Sequence, residues 1–431
     1  MEIFFQVMDI INYVCIGITT LGFIFQLIYI LFIWMKPKHF KEAKELSKIA
    51  VIICGRNEED VIYDTINKLR TEQDYPQDKF DVFVCAHNCT DKTAEEAKRA
   101  GAIVYEYNDD DPSHARVAYP LKHILEKIQE EHDSYDFIIR FDADNHCCKT
   151  YLKEMNNAFH EGVKIARPFE WAKNAYQNLW TKVSAAYYIR DSRIPSNFRE
   201  RAGLSSMLTG AGMMISMEVI KKYGWDAMGM SEDAEYTLNR VMNGERVHYV
   251  ADAIVYEDQP SSLKDTFSRN KRMGNGLFHL FFNKGFKYFG HFFKTGNFSF
   301  IDLFMQLFFI PVGVLCIIWF PLYYVFIILS HIINAFGTNW MTWLTPNESA
   351  LFLWNLGIMV GYILAGFVLV FAVQTWLALI QSKKHLGLKS LKGLWGGVWL
   401  GFVFMIIYDF AITAGVFSRP KWVQIKRNKE N

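Results

Sequence analysis

Two carboxylates one residue apart, Asp142 and Asp144, follow a short apolar run (136–140) in the polar middle of the chain. Directly after a buried strand they cannot both face the core, so we expect them at the carboxyl end of a sheet, where open α/β folds bind ligands. Hard oxygen donors in that position suit Mg²⁺ or Mn²⁺ holding a diphosphate. Because Asp-x-Asp is also common in surface turns, this interpretation depends on the surrounding elements.

Those elements alternate between strand-like and helical segments from Lys48 to about Asp258. Short apolar runs occur at 49–54, 80–85, 102–105 and 137–140, and helical spacing occurs at 60–69, 90–99 and 120–129. Apolar strands that alternate with helices indicate a mostly parallel, buried sheet. The sequence therefore predicts an α/β domain of the nucleotide-binding type.

The composition adds a membrane part to this domain. The chain has 431 residues, of which 51% are hydrophobic and 16% aromatic, and the excess lies at the two ends. A formal net charge of +1 gives no reason to expect a nucleic-acid partner. Seven irregularly spaced cysteines favour a reducing compartment. A metal at 146–148 is a weaker alternative, because no second pair has zinc spacing.

The first apolar segment, 10–35, is long enough to cross a bilayer, and we interpret residues 1–36 as an uncleaved anchor. Five lysines follow it, at positions 36, 38, 41, 44 and 48. An excess of lysine on one flank predicts that this flank is cytoplasmic. The expected protein is a multi-pass protein of the cell membrane whose polar domain, 48–277, lies in the cytoplasm.

The C-terminal part is predicted to contact lipid. Residues 278–298 mix aromatic residues with lysines, which suits a helix lying among the headgroups, with a cytosolic docking helix as the alternative. Apolar blocks fill 299–418, and the basic tail, 419–431, should be cytoplasmic. For the tail to be cytoplasmic, the chain must cross the membrane an even number of times after the polar domain. Either 299–337, which contains Pro311 and Pro321, folds as a hairpin, or 393–417 is re-entrant.

Five places in the polar domain together resemble the family 2 glycosyltransferases, in particular the membrane-integrated synthases of polysaccharides and glycolipids. In chain order they are Gly55-Arg56-Asn57-Glu58-Glu59, Ala86-His87-Asn88-Cys89-Thr90-Asp91, Arg116-Val117-Ala118-Tyr119-Pro120-Leu121-Lys122, Asp142-Ala143-Asp144 and Ser231-Glu232-Asp233. The small-residue turn 209–212 precedes the last of these. The resemblance covers about residues 48–280 and implies a GT-A domain, the fold of nucleotide-diphospho-sugar transferases, attached to a transmembrane helical bundle.

The resemblance also implies roles for individual residues. Asp144, with Asp142 nearer the ribose, would bind the Mn²⁺ or Mg²⁺ ion, and Asp233 would be the base that deprotonates the acceptor hydroxyl. A single base opposite the leaving group implies inversion. The remaining donor-binding residues would be Arg56, Glu58, His87 and Arg269, and Arg272 would offset the charge of the leaving diphosphate.

The chain departs from the family pattern at two places. His87 stands where the family has a uridine-contacting aspartate, so recognition of the base must differ or use a neutral imidazole. The Gln-x-x-Arg-Trp motif of processive synthases corresponds to Arg269-Asn270-Lys271-Arg272-Met273, which keeps only the second arginine. These cations could instead form a basic patch at the headgroups.

The expected function is transfer from a nucleotide-diphosphate sugar, in the first place a UDP-sugar, to form a β-linked exopolysaccharide or glycolipid. The acceptor would be a sugar polymer or a lipid, and membrane lipids would be further partners. The degraded arginine motif favours a single addition to a lipid as the alternative. Outside the enzymes, the alternative is a channel or transporter subunit that only binds nucleotide.

Overall fold

The computed structural model describes residues 2–132, 134–335 and 364–418, together with 357–358 and 360–361. The described strands are β1 (Ile49–Gly55), β2 (Phe80–His87), β3 (Ile103–Tyr107), β4 (Phe137–Asp142), β5 (His146–Cys147), β6 (Ile165–Ala172), β7 (Met213–Ser216) and β8 (Val247–Glu257). The helices of the polar domain are α2 (Ile62–Glu72), α3 (Thr93–Arg99), α4 (Ala118–Glu131), α5 (Tyr151–His160), α6 (Leu179–Asp191), α7 (Asn197–Arg201), α8 (Met217–Tyr223), α9 (Glu232–Met242) and α10 (Leu263–Leu280).

The strands form one sheet in the order β3-β2-β1-β4-β7-β6-β8-β5. The first four are parallel, whereas β7 runs antiparallel to both of its neighbours. The expected parallel sheet is therefore confirmed for its first half, and the second half is mixed. Because β1, β2 and β4 end at one edge, the polar residues that follow them converge there.

Apolar residues cover both faces of the sheet. One cluster lies around Val51 and Ile139 under α2 and α5, and the other lies around Ile52 and Ile138 under α4 and α8. The alternation along β1 and β4 places successive side chains in opposite clusters. Burial on both faces explains why these strands read as continuous apolar runs.

Helices of membrane length flank this domain. Within the part of the chain that the structure describes, three helical stretches are long and apolar enough to cross a membrane: Gln6–Leu31, Phe298–Leu329 and Leu364–Ser382. They belong to α1 (Glu2–Leu31), α12 (Phe298–Ala335) and α13 (Gln374–Ser382) with its preceding π-helical turn. The α/β domain with adjoining apolar helices confirms the predicted fold class.

The hairpin alternative for 299–337 is wrong, because α12 is one continuous helix that contains both Pro311 and Pro321. The last apolar block instead bends by 48° between Lys392–Trp399 and Gly401–Val416. Both of its ends contact the α/β domain. Tyr176 OH donates to the Ser390 carbonyl (2.9 Å) and Asn275 Nδ2 donates to the Gly415 carbonyl (2.9 Å). These contacts favour the re-entrant alternative. The basic tail, 419–431, lies outside the described residues.

The predicted headgroup segment, 278–298, divides between two helices. Its first residues complete α10, and α11 (Phe286–Thr295) follows after a π-helical turn. The side chains of Phe282, Phe286, Phe289 and Phe293 are exposed and recur at helical spacing, whereas Tyr288 is buried. An exposed aromatic stripe of this kind fits a helix at the lipid headgroups, which stays a prediction.

Candidate functional site

The loops after β1 and β2 are tied to each other by side chains. Asn57 and Asn88 adopt positive φ angles of 57° and 48°, a conformation that asparagine tolerates better than most residues. Asn57 Oδ1 accepts a hydrogen bond from the Thr90 amide (2.8 Å), and the Glu58 amide donates to Thr93 Oγ1 (2.7 Å). The edge of the sheet that faces the site is therefore held in a fixed shape.

His87 lies at the end of β2 and is only 4% exposed. Its Nε2 atom lines the site without a hydrogen-bond partner among the described residues, and its ring lies 5.4 Å from that of Tyr107. Burial, followed by the nearby Arg56 guanidinium, lowers the pKa of His87. The imidazole is therefore neutral at pH 7, as one of the two sequence interpretations supposed, and has one ring nitrogen available to a ligand.

Arg140 organises the carboxylates. It lies in the apolar strand β4, and its Nη2 donates to Asp142 Oδ1 (2.7 Å) while its Nη1 lies 3.4 Å from Glu232 Oε1. A Cβ atom on Gly210 would lie 2.8 Å from Arg140 Nη1, so the small-residue turn leaves room for the guanidinium. Arg140 thus joins the strand that ends in Asp142 to the start of α9.

The first two residues of α9 are acidic and have different surroundings. Glu232 is buried against Arg140, and burial, followed by the charge of Asp233, raises its pKa to about 7. Asp233 is half-buried, and its Oδ1 accepts from the Ala234 amide (2.7 Å). Burial also raises the pKa of Asp233. Ser231 makes no side-chain capping bond, so the helix start does not depend on serine capping.

Asp142 and Asp144 differ in access. Asp142 lines the site, whereas Asp144 is 5% exposed and is absent from the cavity wall. Asp144 lies close enough to Arg269 and Glu257 to shift the pKa of both. No group of three metal-ligating side chains occurs within the described parts of the chain. Two carboxylates fit a hard divalent cation whose other ligands come from a diphosphate and water.

The two predicted arginines of α10 are used differently. Arg269 Nη1 donates to Gln259 Oε1 (2.9 Å), its Nη2 donates to Tyr188 OH (2.5 Å), and Glu257 lies 3.5 Å away. Arg272 lines the same cavity, and burial, followed by the charge of Arg269, lowers its pKa. Arg272 is therefore the better placed of the two to bind a diphosphate, because the guanidinium of Arg269 already contacts Tyr188 and Glu257.

One cavity of about 1050 Å³ collects these residues. Seven of the eight residues predicted for the site line it: Arg56, Glu58, His87, Asp142, Asp233, Arg269 and Arg272. Sequence reasoning assigned no site role to Arg140, Glu232, Glu257 or Tyr188. A charged residue inside the apolar run of β4 was the available signal for Arg140. The cavity continues between α1, α12 and α14 (Gly401–Val416), so the site opens towards the membrane-length helices.

Comparisons with known proteins agree with this geometry. Residues 47–276, more than half of the chain, match the family described as "Glycosyltransferase like family 2". The probable glycosyltransferase YdaM of Bacillus subtilis (strain 168) is 26% identical over 252 residues, which cover 56% of this chain and 57% of that relative. The matched region thus spans little more than half of the relative's length.

One solved structure shows the same fold. The mannosyltransferase PcManGT from Pyrobaculum calidifontis, in complex with GDP-Man and Mn²⁺, superimposes with a TM-score of 0.53 at 15% identity, over 88% of this chain and 99% of that one. The Staphylococcus aureus TarS 1–349 structure in complex with UDP-GlcNAc covers 53% of this chain and 66% of its own, at 15% identity and a TM-score of 0.36.

The matched region contains the whole described sheet and every residue of the candidate site. The chain carries helices that could cross a membrane on both sides of that region. This chain therefore belongs to the family 2 glycosyltransferases and is a transferase with a GT-A-type domain.

Proposed function

We propose that the protein transfers a sugar from a nucleotide-diphosphate donor, in the first place a UDP-sugar, with inversion at the anomeric carbon. The product is a β-linked exopolysaccharide or a glycolipid made at the membrane. The observation that carries this proposal is the convergence of Asp142, Asp233 and Arg272 on one cavity that continues between membrane-length helices. A subunit that only binds nucleotide would have no use for a carboxylate base.

Asp233 is the proposed general base. It is half-buried at the cavity wall, and its raised pKa brings it closer to working pH, which strengthens a general base. Glu232 points to Arg140 instead, so it positions Asp142 through the shared guanidinium. A base on the face of the sugar opposite the leaving diphosphate would produce inversion by direct displacement.

Asp142 and Asp144 are the proposed holders of Mn²⁺ or Mg²⁺. When bound, the ion would neutralise charge on the departing nucleoside diphosphate. Arg272 would add a cation on the cavity side, and Arg56 and Glu58 would line the donor pocket. His87, neutral and with a free ring nitrogen, would accept a hydrogen bond from the nucleobase in place of the usual aspartate.

The decisive variant is Asp233→Asn, which keeps size and hydrogen bonding but cannot accept a proton at neutral pH. Turnover should fall by about 10² to 10⁴, the usual worth of positioned general-base catalysis, while UDP affinity stays near wild type. Nucleotide release by the purified protein and nucleotide binding by calorimetry measure the two quantities.

Glu232→Gln is the matched control, since it makes the same chemical change one residue away. Its turnover should fall much less than that of Asp233→Asn. A folded Asp233→Asn protein with wild-type turnover would remove the proposed base. A larger loss in Glu232→Gln than in Asp233→Asn would assign the base to Glu232 instead.

We also propose that the α/β domain lies in the cytoplasm, on the lysine-rich side of α1. Asn108 is exposed on this domain, and none of the seven native cysteines is exposed. A cysteine at position 108 should resist an impermeant thiol reagent in intact cells and react after permeabilisation. Labelling without permeabilisation would reverse the topology.

A further inference from the structure

A second polar cluster lines the same cavity. Arg167 and Glu170 lie on β6, and Asp191 ends α6. Arg167 Nη1 donates to Asp191 Oδ2 (3.0 Å), and Arg167 Nη2 lies 3.3 Å from Glu170 Oε2. Arg167 and Glu170 are each only 2% exposed. The family motifs include none of these three residues.

Three atoms of this cluster have unused hydrogen-bonding capacity. Arg167 Nε, Arg167 Nη2 and Glu170 Oε1 are buried and have no hydrogen-bond partner among the described residues. Buried polar groups are nearly always paired, and an unpaired one needs an explanation. Both residues lie in the cavity wall, so a bound molecule can supply the missing partners.

The cluster lies between the transfer site and the membrane helices. On one side, Tyr188 of the same helix α6 accepts a hydrogen bond from Arg269. On the other side, Arg190 Nη1 lies 3.4 Å from both the Val370 carbonyl and Gln374 Oε1, in the third membrane-length stretch. A molecule held at the cluster therefore has Tyr188 and Arg269 on one side and apolar helices on the other.

The chemistry of the cluster suits uncharged hydroxyl groups. Asp191 already balances the charge of Arg167, so the three side chains offer no surplus positive charge to a phosphate. Burial, followed by the neighbouring Glu257, raises the pKa of Glu170 to about 8, despite the opposing charge of Arg167. At pH 7 its carboxyl group is protonated and can both donate and accept a hydrogen bond, as a hydroxyl partner requires.

The cavity beyond the cluster is lined by apolar side chains. Phe320, Phe367, Phe371, Phe402 and Met405 contribute to this part of the wall. A sugar polymer would leave its hydroxyls unpaired against such a surface, whereas an alkyl chain would bury apolar area.

We propose that Arg167, Glu170 and Asp191 form the acceptor subsite, and that the acceptor is a lipid with an uncharged, hydroxylated headgroup. The headgroup hydroxyls bind the cluster, and the hydrocarbon chain lies along the phenylalanine-lined wall. This inference rests on the proposed function and deepens it, because it selects a lipid rather than a soluble polymer as the acceptor.

Photolabelling tests the subsite without requiring turnover. The wild-type protein in lipid nanodiscs would be irradiated with an alkyl β-glucoside that carries a diazirine on its sugar ring. Mass spectrometry should find the label in peptides that contain 165–172 or 187–191. Octyl β-glucoside should compete, whereas cellotetraose should not. Label found only elsewhere, or equal competition by cellotetraose, would overturn the inference.

Variants of Glu170 sharpen the test. Glu170→Leu should weaken labelling by about tenfold or more, since it removes the hydrogen bonds but keeps the volume. Glu170→Gln, which resembles the protonated acid, should stay within about threefold of wild type. Glu218→Leu, an exposed site on α8, is the control and should label normally. Equal labelling of Glu170→Leu and wild type would contradict the subsite, as would equal loss in Glu170→Gln and Glu170→Leu.

Failure of the acceptor subsite and failure of the proposed function give different results in the labelling and nucleotide-release experiments. Nucleotide release that depends on Asp233, with no specific label at 165–172 or 187–191, would keep the function and reject this subsite. Specific label without nucleotide release would keep the subsite and reject the function.

Discussion

The two ends of the cavity are built in different ways. The donor end is the part of the cavity that holds the residues proposed to bind the nucleotide sugar. Loops after β1 and β2 supply several of its side chains, and hydrogen bonds join one loop to the other, as between Asn57 and Thr90. At the membrane end, fully buried ionic groups join whole helices. Arg199 Nε donates to Asp302 Oδ2 (2.7 Å), Tyr29 OH donates to Asp302 Oδ1 (2.8 Å), and Arg199 Nη2 donates to Tyr29 OH (2.8 Å).

The difference predicts which property a substitution at each end will change. Side chains at the donor end must meet a ligand, so several remain partly exposed and only partly paired. Tyr29, Arg199 and Asp302 satisfy one another and join α1, α7 and α12 across the boundary between the domain and the apolar helices. We expect substitutions at the donor end to affect turnover, and substitutions at this network to affect stability.

The largest effect should come from the proposed metal-binding residues of the donor end. A chelator such as EDTA should abolish nucleotide release, and Mn²⁺ or Mg²⁺ should restore it, because the ion offsets the negative charge of the two carboxylates and of the departing diphosphate. Asp144→Ala should lose about 10²-fold or more in turnover without rescue by added metal. Full activity in chelator would reject the metal role.

A smaller effect, on folding stability rather than on turnover, is expected at the membrane end. Asp302→Ala leaves the Arg199 guanidinium buried without its carboxylate, which should cost about 3–5 kcal/mol of folding stability. Thermal unfolding in detergent would measure this loss. The double variant Arg199→Met with Asp302→Leu removes both charges and should recover much of it. An unchanged melting temperature in Asp302→Ala would remove the contrast between the two ends.

The smallest effect concerns the pH dependence of turnover, which is set by the two acidic residues that begin α9. Activity should fall on the acid side as Asp233 is protonated, because a base must be ionised. Burial, followed by the charge of Asp233, raises the pKa of Glu232 to about 7, so Glu232 is protonated where Asp233 titrates. Glu232→Gln resembles that protonated acid and should leave the acid limb of the turnover profile near its wild-type position. A shift of the acid limb by about one pH unit or more would show that Glu232 is ionised while Asp233 titrates.

The sequence predicted most of the first half of the fold. The apolar runs at 49–54, 80–85 and 137–140 became β1, β2 and β4, because strands buried on both faces need continuous apolar residues. The carboxyl ends of these strands then fixed Asp142 at the edge of the sheet. The antiparallel pairing of β7 was not predicted, because a four-residue strand carries too little periodic signal.

The sequence by itself thus determined the donor end: strands, the polar residues that follow them and the order of the family motifs, all of which depend on neighbours along the chain. Only the tertiary structure decided how Arg140 joins Asp142 to Glu232, and how Tyr29 meets Arg199 and Asp302 from positions far apart in sequence. Buried charges are stable only beside their partners, and a linear pattern does not reveal which distant residue supplies the partner. For this reason the proposed acceptor subsite could be identified only from the tertiary structure.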